Sequence, residues 1–187
     1  MAVLGRLTTA ALLSVASAPA VAQAPPPAPQ EYEVKAAYLL NFTRYVEWPA
    51  ETFASADAPI VIGVLGRNPF GPVLAQTLEG RASQGRRIEL RELESVTDAA
   101  DCQVVFVARE EHRLNQDLIE RLTRPGLVTI GEGETFVQRG GVLSFVLVNQ
   151  TVRFAVNLTA GERAGVRISS RMLALATAIY GRAGNTP

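Results

Sequence analysis

Cysteine, histidine and lysine each occur once in this chain, at Cys102, His112 and Lys35, and each scarcity closes off a chemistry. A single cysteine forms no intrachain disulfide. Cys102 stands just ahead of the apolar run Val104-Val105-Phe106-Val107 and reads as a small buried hydrophobe rather than a reactive thiol. A single histidine cannot build a zinc site of the usual kind. A Ser-His-Asp unit would have to use His112, yet no serine stands in a Gly-x-Ser-x-Gly elbow. His112 lies among Arg109, Glu110, Glu111 and Arg113, company that predicts a surface position. With 18 basic residues of which only Lys35 is lysine, arginine carries nearly all positive charge, a bias that fits GC-rich coding better than phosphate recognition.

An excess of either charge is also missing, since 18 acidic residues balance the basic ones and nothing draws the chain toward nucleic acid. Nucleotide loops are incomplete. Gly66-Arg67-Asn68-Pro69-Phe70-Gly71 follows an apolar run, but Pro72-Val73 stand where a P-loop needs Lys and Ser or Thr to reach phosphate and magnesium. Gly131-Glu132-Gly133 lacks the third glycine of a dinucleotide fingerprint. No catalytic residue, cofactor or metal is therefore expected, and no internal repeat is visible.

What is present begins with an export signal. Met1 to Arg6 is short and weakly positive, Leu7 to Val15 is apolar with small residues, and Ala20-Val21-Ala22 offers the small-x-small pattern of a signal peptidase site. A membrane anchor would need about 20 consecutive apolar residues, and Pro19 interrupts this run early. Removing residues 1–22 from the 187 leaves 165, enough for one domain that buries roughly 70% of its unfolded surface. Residues 23–30, with Pro25-Pro26-Pro27 and Pro29, read as an extended linker. The domain is expected over 31–181, with a flexible tail over 182–187.

Along that domain, Val34, Tyr38, Leu39, Phe42, Tyr45 and Val46 recur at helical spacing until Pro49. Ile60 to Leu65 and Arg87 to Glu92 read as strands, with a helical stretch from Pro72 to Leu78 between them. Cys102 to Ala108 reads as a buried strand, and Leu114, Leu118, Ile119 and Leu122 mark the helix after it. Asp117 with Arg121, and Glu120 with Arg124, are spaced for ion pairs on its outer face. Leu127 to Ile130 is a short strand, and Gly131 to Gly141 is rich in turns. Val142 to Val148 and Thr151 to Asn157 then flank the two-residue turn Asn149-Gln150. That turn sets Val148 opposite Thr151, Leu147 opposite Val152, Phe145 opposite Phe154 and Leu143 opposite Val156. A closing helix is predicted from Ser169 to Tyr180, with Met172, Leu175, Ala176 and Ile179 as its stripe. The whole is an α/β fold, a mixed sheet of about six strands with helices on its faces and a C-terminal antiparallel hairpin.

Three stretches carry a family resemblance. Lys35-Ala-Ala-Tyr-Leu-Leu-Asn-Phe-Thr-Arg-Tyr-Val-Glu-Trp-Pro49 resembles the opening helix of the YfiR-like family. Gly140-Gly-Val-Leu-Ser-Phe-Val146 with Arg153-Phe-Ala-Val-Asn-Leu158 is similar to its hairpin. Ala164-Gly-Val-Arg-Ile-Ser-Ser-Arg-Met-Leu-Ala-Leu-Ala176 is similar to its closing helix. The resemblance implies a periplasmic regulator, typically a homodimer, that represses a membrane-bound diguanylate cyclase by contacting the cyclase's periplasmic part. It also implies an outer-membrane lipoprotein as a second partner, no binding of nucleic acid, and no membrane insertion after signal cleavage. Relatives often carry cysteine pairs, whereas here Cys102 is alone, so disulfide-based control is not expected.

Within the three motifs the candidate partner-binding residues are Arg44, Glu47, Trp48, Arg153, Asn157, Arg167, Ser169, Ser170 and Arg171. The charged ones fit a surface best, because charged side chains are rarely buried unless paired. Tyr38, Phe42 and Trp48 also suit a core, and Asn157, Ser169 and Ser170 also suit turn or helix caps. A different class stays open beside the regulator: a periplasmic small-ligand-binding or transport-accessory module working with a TonB-type receptor or sensor kinase.

Overall fold

The structure, a computed structural model, describes residues 29–115 and 117–181. The expected signal segment, most of the linker and the tail at 182–187 lie outside the described residues. The first helix, α1 (Pro29–Tyr45), starts two residues before the expected domain boundary and leads straight into β1 (Val46–Glu47). There follow β2 (Ile60–Leu65), α2 (Pro72–Leu78), β3 (Ala82–Ser83), β4 (Arg86–Leu93) and β5 (Val104–Val107). After these come α3 (Arg109–Leu114), α4 (Leu118–Leu122), β6 (Val128–Glu132) and α5 (Glu134–Gln138). The hairpin is β7 (Leu143–Val148) and β8 (Thr151–Asn157), and the chain closes through α6 (Leu158–Arg163), β9 (Arg167–Ile168), α7 (Ser170–Leu173) and β10 (Ala178–Tyr180).

One mixed sheet holds eight strands in the order β10-β8-β7-β6-β5-β2-β4-β3. The six expected strands are all in it, and β3 and β10 are the additions. Its middle, β4-β2-β5-β6-β7, is parallel, while β7/β8 and β3/β4 are antiparallel. Parallel central strands are buried on both faces and so read as continuous apolar runs; every residue of β2 and β5 is buried. Alternation sends them to opposite sides. Ile62, Val64, Val104 and Phe106 join a core with α1 and α2, and Val61, Leu65, Val105, Val107 and Cys102 join a second core with α4 and α5.

The α1 core is aromatic: Phe42 stacks on Phe145 at 5.7 Å and meets Phe154 edge-on at 5.2 Å, and half-buried Tyr38 touches the same two rings. Glu31 in the first turn of α1 and Arg44 in its last complement the helix dipole. On the opposite face Phe136, fully buried, lies on a floor of two glycines. A Cβ at Gly131 would meet its ring at 2.3 Å and one at Gly141 at 2.1 Å.

Four expectations need correction. The closing helix is a single turn, after which the Thr177 N–H and hydroxyl both donate to the Phe154 carbonyl, at 2.9 and 3.0 Å, and β10 runs parallel to β8. The open edge of β8 outcompetes the helix for the residues around β-favouring Ile179 and Tyr180, and Leu175 is left 69% exposed. The helix expected around Leu114 to Leu122 is broken into α3 and α4, and neither outer ion pair forms among the described residues; Arg124 instead donates to the carbonyls of Ala99 and Cys102. The turn-rich stretch after Gly131 contains α5. His112 is not a surface residue: it is 6% exposed and meets Phe136 edge-on at 5.3 Å.

Candidate functional site

Seven of the nine candidate residues converge at the C-terminal end of α1. Because β1 follows α1 without a break, its two residues are delivered to β9, where they pair antiparallel, Val46 with Ile168 and Glu47 with Arg167. The pairing is extended by the Ser169 N–H, which donates to the Tyr45 carbonyl at 2.9 Å. On the solvent side of this ribbon the Arg167 Nε donates to Glu47 Oε2 at 3.1 Å, with both side chains exposed. Arg44 is exposed one turn back, its Nη1 3.4 Å from Asn41 Oδ1. Ser169 caps α7 by accepting from the Met172 N–H at 3.3 Å, and exposed Ser170 and Arg171 form the first turn of that helix. Trp48 is half-buried; its Nε1 donates to the Gly126 carbonyl at 3.1 Å and its ring meets Phe53 edge-on, so it braces the ribbon from beneath.

The other two stand apart. Arg153 is exposed on β8 opposite Val146, on the strand face expected for it. Asn157 is buried, and its polar atoms are consumed internally. Its Oδ1 accepts from the Ala160 N–H at 2.9 Å, capping α6, and its Nδ2 donates to the Val137 carbonyl at 2.7 Å. Its side chain thus caps α6 and ties it to α5.

A second constellation went unread in the sequence. Lys35, the sole lysine, is only 2% exposed and is held by the carboxylates of Glu31 and Glu132. Its ammonium also lies 4.4 Å from the centre of the Tyr32 ring, an arrangement that stabilises a desolvated cation. Glu132, 3% exposed, further accepts from the Tyr32 hydroxyl at 3.3 Å and from Arg109 Nε at 3.3 Å. Burial by itself would raise the Glu132 pKa, but hydrogen bonding and charge from Lys35 and Arg109 outweigh it and hold the carboxyl below its usual range. The Tyr32 hydroxyl moves the other way, pushed up by burial, by the charges of Glu132 and Glu31 and by its donation to Glu132.

The network ties α1 to β6 and to the start of α3, and beside it opens a cavity of about 290 Å³ walled by Glu31, Lys35, Arg109, Glu134, Phe145 and Leu147. A signal for it existed: Lys35 shares the stripe of Leu39, Phe42 and Val46 at i+4, i+7 and i+11, a core position for a charge. Close by, His112 keeps Nε2 without a partner among the described residues; burial first, then the charge of Arg109, holds its pKa down.

Among the described residues no cluster of His, Cys, Asp and Glu is placed to hold a metal, and no helix is long and apolar enough to cross a membrane. Fold and site together define an α/β domain with a charged, exposed ribbon where α1 ends and a buried ion network joining α1, β6 and α3. The chain belongs to the YfiR/HmsC-like family, whose profile matches residues 32–177. Among solved structures it is similar to a conserved domain protein from Vibrio cholerae O1 biovar El Tor, at 14% identity and a TM-score of 0.52, over 79% of this chain and 60% of that one. It also matches the ABC domain in complex with L-Trp from Streptococcus pneumonia, at 13% identity and a TM-score of 0.48, over 82% of this chain and 60% of that one. The chain thus spans about 60% of the length of each of these structures.

Proposed function

We propose that this chain is a periplasmic regulator, reached through a cleaved signal over residues 1–22, that represses a membrane-bound diguanylate cyclase by binding the cyclase's periplasmic part. Cyclic di-GMP and biofilm formation would fall as a result. Family membership supports the regulatory class. The observation that carries the contact reading is the ribbon of β1 and β9. It gathers Arg44, Glu47, Arg167, Ser170 and Arg171 in exposed positions although 120 residues separate Glu47 from Arg167. A patch of mixed charge on a backbone fixed from beneath by Trp48 suits recognition of a protein surface, where charge pattern sets orientation and partner choice. An outer-membrane lipoprotein as a competing partner and a homodimeric state belong to the same proposal.

The regulator sits across the membrane from the nucleotide and acts only by biasing a spanning partner between states. Deleting the gene should raise intracellular cyclic di-GMP several-fold, and restoring the exported chain should lower it again. An unchanged level after deletion, or full repression by a chain lacking residues 1–22, overturns the proposal.

A further inference from the structure

We infer that the cavity beside Lys35 binds the C-terminal end of an extended peptide, through strand pairing to Leu147 and a salt bridge to Arg109. The inference is independent of the regulatory reading above.

The strand edge comes from a difference in length. β6 pairs with β7 only as far as Glu132 opposite Phe145, while β7 continues to Val148. The Asn157 N–H donates to the Val142 carbonyl at 2.8 Å, so in this antiparallel ladder the backbone groups of Val142, Ser144, Val146 and Val148 point to β8. Those of Leu143, Phe145 and Leu147 point the other way, toward β6. The Gly133 N–H, donating to the Phe145 carbonyl at 2.8 Å, makes the last bond on that side before the chain turns into α5. Leu147 thus offers an N–H and a C=O at an open edge, with its side chain 53% exposed, on the wall of the cavity. An added peptide strand takes up such groups directly.

The charge comes from Arg109. Its Nε is engaged by Glu132, which fixes the guanidinium plane, while its two Nη atoms have no partner among the described residues. Lys35 is neutralised by Glu31 and Glu132, so Arg109 is the cation on this wall with donors to spare, and its fork matches a carboxylate. Leu147 supplies an apolar surface for the last side chain, and the carboxylates of Glu31 and exposed Glu134 disfavour a second acidic group. The ligand is therefore a chain end with one carboxylate and an apolar final residue.

The test is a titration of the full chain with acetyl-Gly-Ser-Val-Leu as the free acid and as the C-terminal amide, followed by isothermal titration calorimetry and by the backbone amide signal of Leu147. The acid should bind at least tenfold more tightly than the amide and shift the Leu147 signal. Arg109→Gln should remove that preference, Arg109→Lys should keep part of it, and Arg87→Gln, at an exposed position on β4 several strands away, should leave it intact. Equal binding of acid and amide, no binding of either, or a Leu147 signal that does not move overturns the inference. N-acetyl-leucine binding as tightly as the tetrapeptide also overturns it and assigns the cavity to small carboxylates.

Discussion

Replacing Lys35 by methionine keeps the length and apolar stem of the side chain and removes only the ammonium. Glu31, 13% exposed, can turn toward water, but Glu132 cannot; it retains the Tyr32 hydroxyl and Arg109, each at 3.3 Å. Removing one partner of a buried pair costs about 3–5 kcal/mol, because the other charge is left without compensation. At about 2–4 °C of Tm per kcal/mol for a chain of this size, the midpoint should fall by about 6–20 °C. The remaining Arg109 bond favours the lower half of that range.

Two further measurements identify the cause. The double variant Lys35→Met with Glu132→Leu should be more stable than Lys35→Met alone, since it removes the stranded charge. The pH dependence has a definite sign as well. The folded pKa of Glu132 is depressed, so its contribution is present above the unfolded value of about 4.3 and is lost as pH falls through the folded value. The gap between parent and Lys35→Met should therefore narrow as pH falls below about 4.3. A Lys35→Met midpoint within about 2 °C of the parent, or a double variant whose loss is the sum of the single losses, would refute the coupling.

His112 is buried with its folded pKa below the unfolded one, so its contribution is complete above about pH 6.5 and is lost as pH falls below that; urea midpoints at pH 7.5 and 5.5 should drop for the parent and stay closer together for His112→Leu. Gly131→Ala should cost about 1–3 kcal/mol or block folding, because its Cβ meets the immobile Phe136 ring, whereas Gly161→Ala, with nothing nearer than 3.6 Å, should melt like the parent. Glu47→Arg should change stability by less than about 1 kcal/mol, since the pair with Arg167 is exposed, yet raise cyclic di-GMP toward the deletion level. An unaltered cyclic di-GMP level in that variant would remove the ribbon from the contact surface.

The hairpin was legible to the residue. All four expected pairs are observed, with Asn149 and Gln150 at φ 50° and 62° in the left-handed region that its two-residue turn requires. A two-residue turn and alternating side chains fix a register locally, so no distant information was needed. β10 was misread for the opposite reason. Met172, Leu175, Ala176 and Ile179 do fall at helical spacing, but what decides their fate is the open edge of β8, supplied by residues 23 positions earlier. The Lys35 network lies between these cases. A lone lysine on an apolar stripe could be seen, but its partner Glu132 lies 97 residues away and closes an apolar run with no periodicity to mark it. The candidate residues fared according to the same rule: the charged ones were placed correctly on the surface, while Asn157 was drawn inside by a cap that only α6 and α5 together complete.

The burial of Lys35 also makes this chain chemically unusual toward acylating reagents. With no other side-chain amine in the sequence, an amine-directed ester applied to the folded protein meets only the amino terminus. Modification of Lys35 requires its pairs with Glu31 and Glu132 to open, so the rate at which that one site is labelled, set against that of a free amine, reads the free energy of that opening. One mass-spectrometric peak, followed over time, would then report on the packing of the opening helix without any engineered probe.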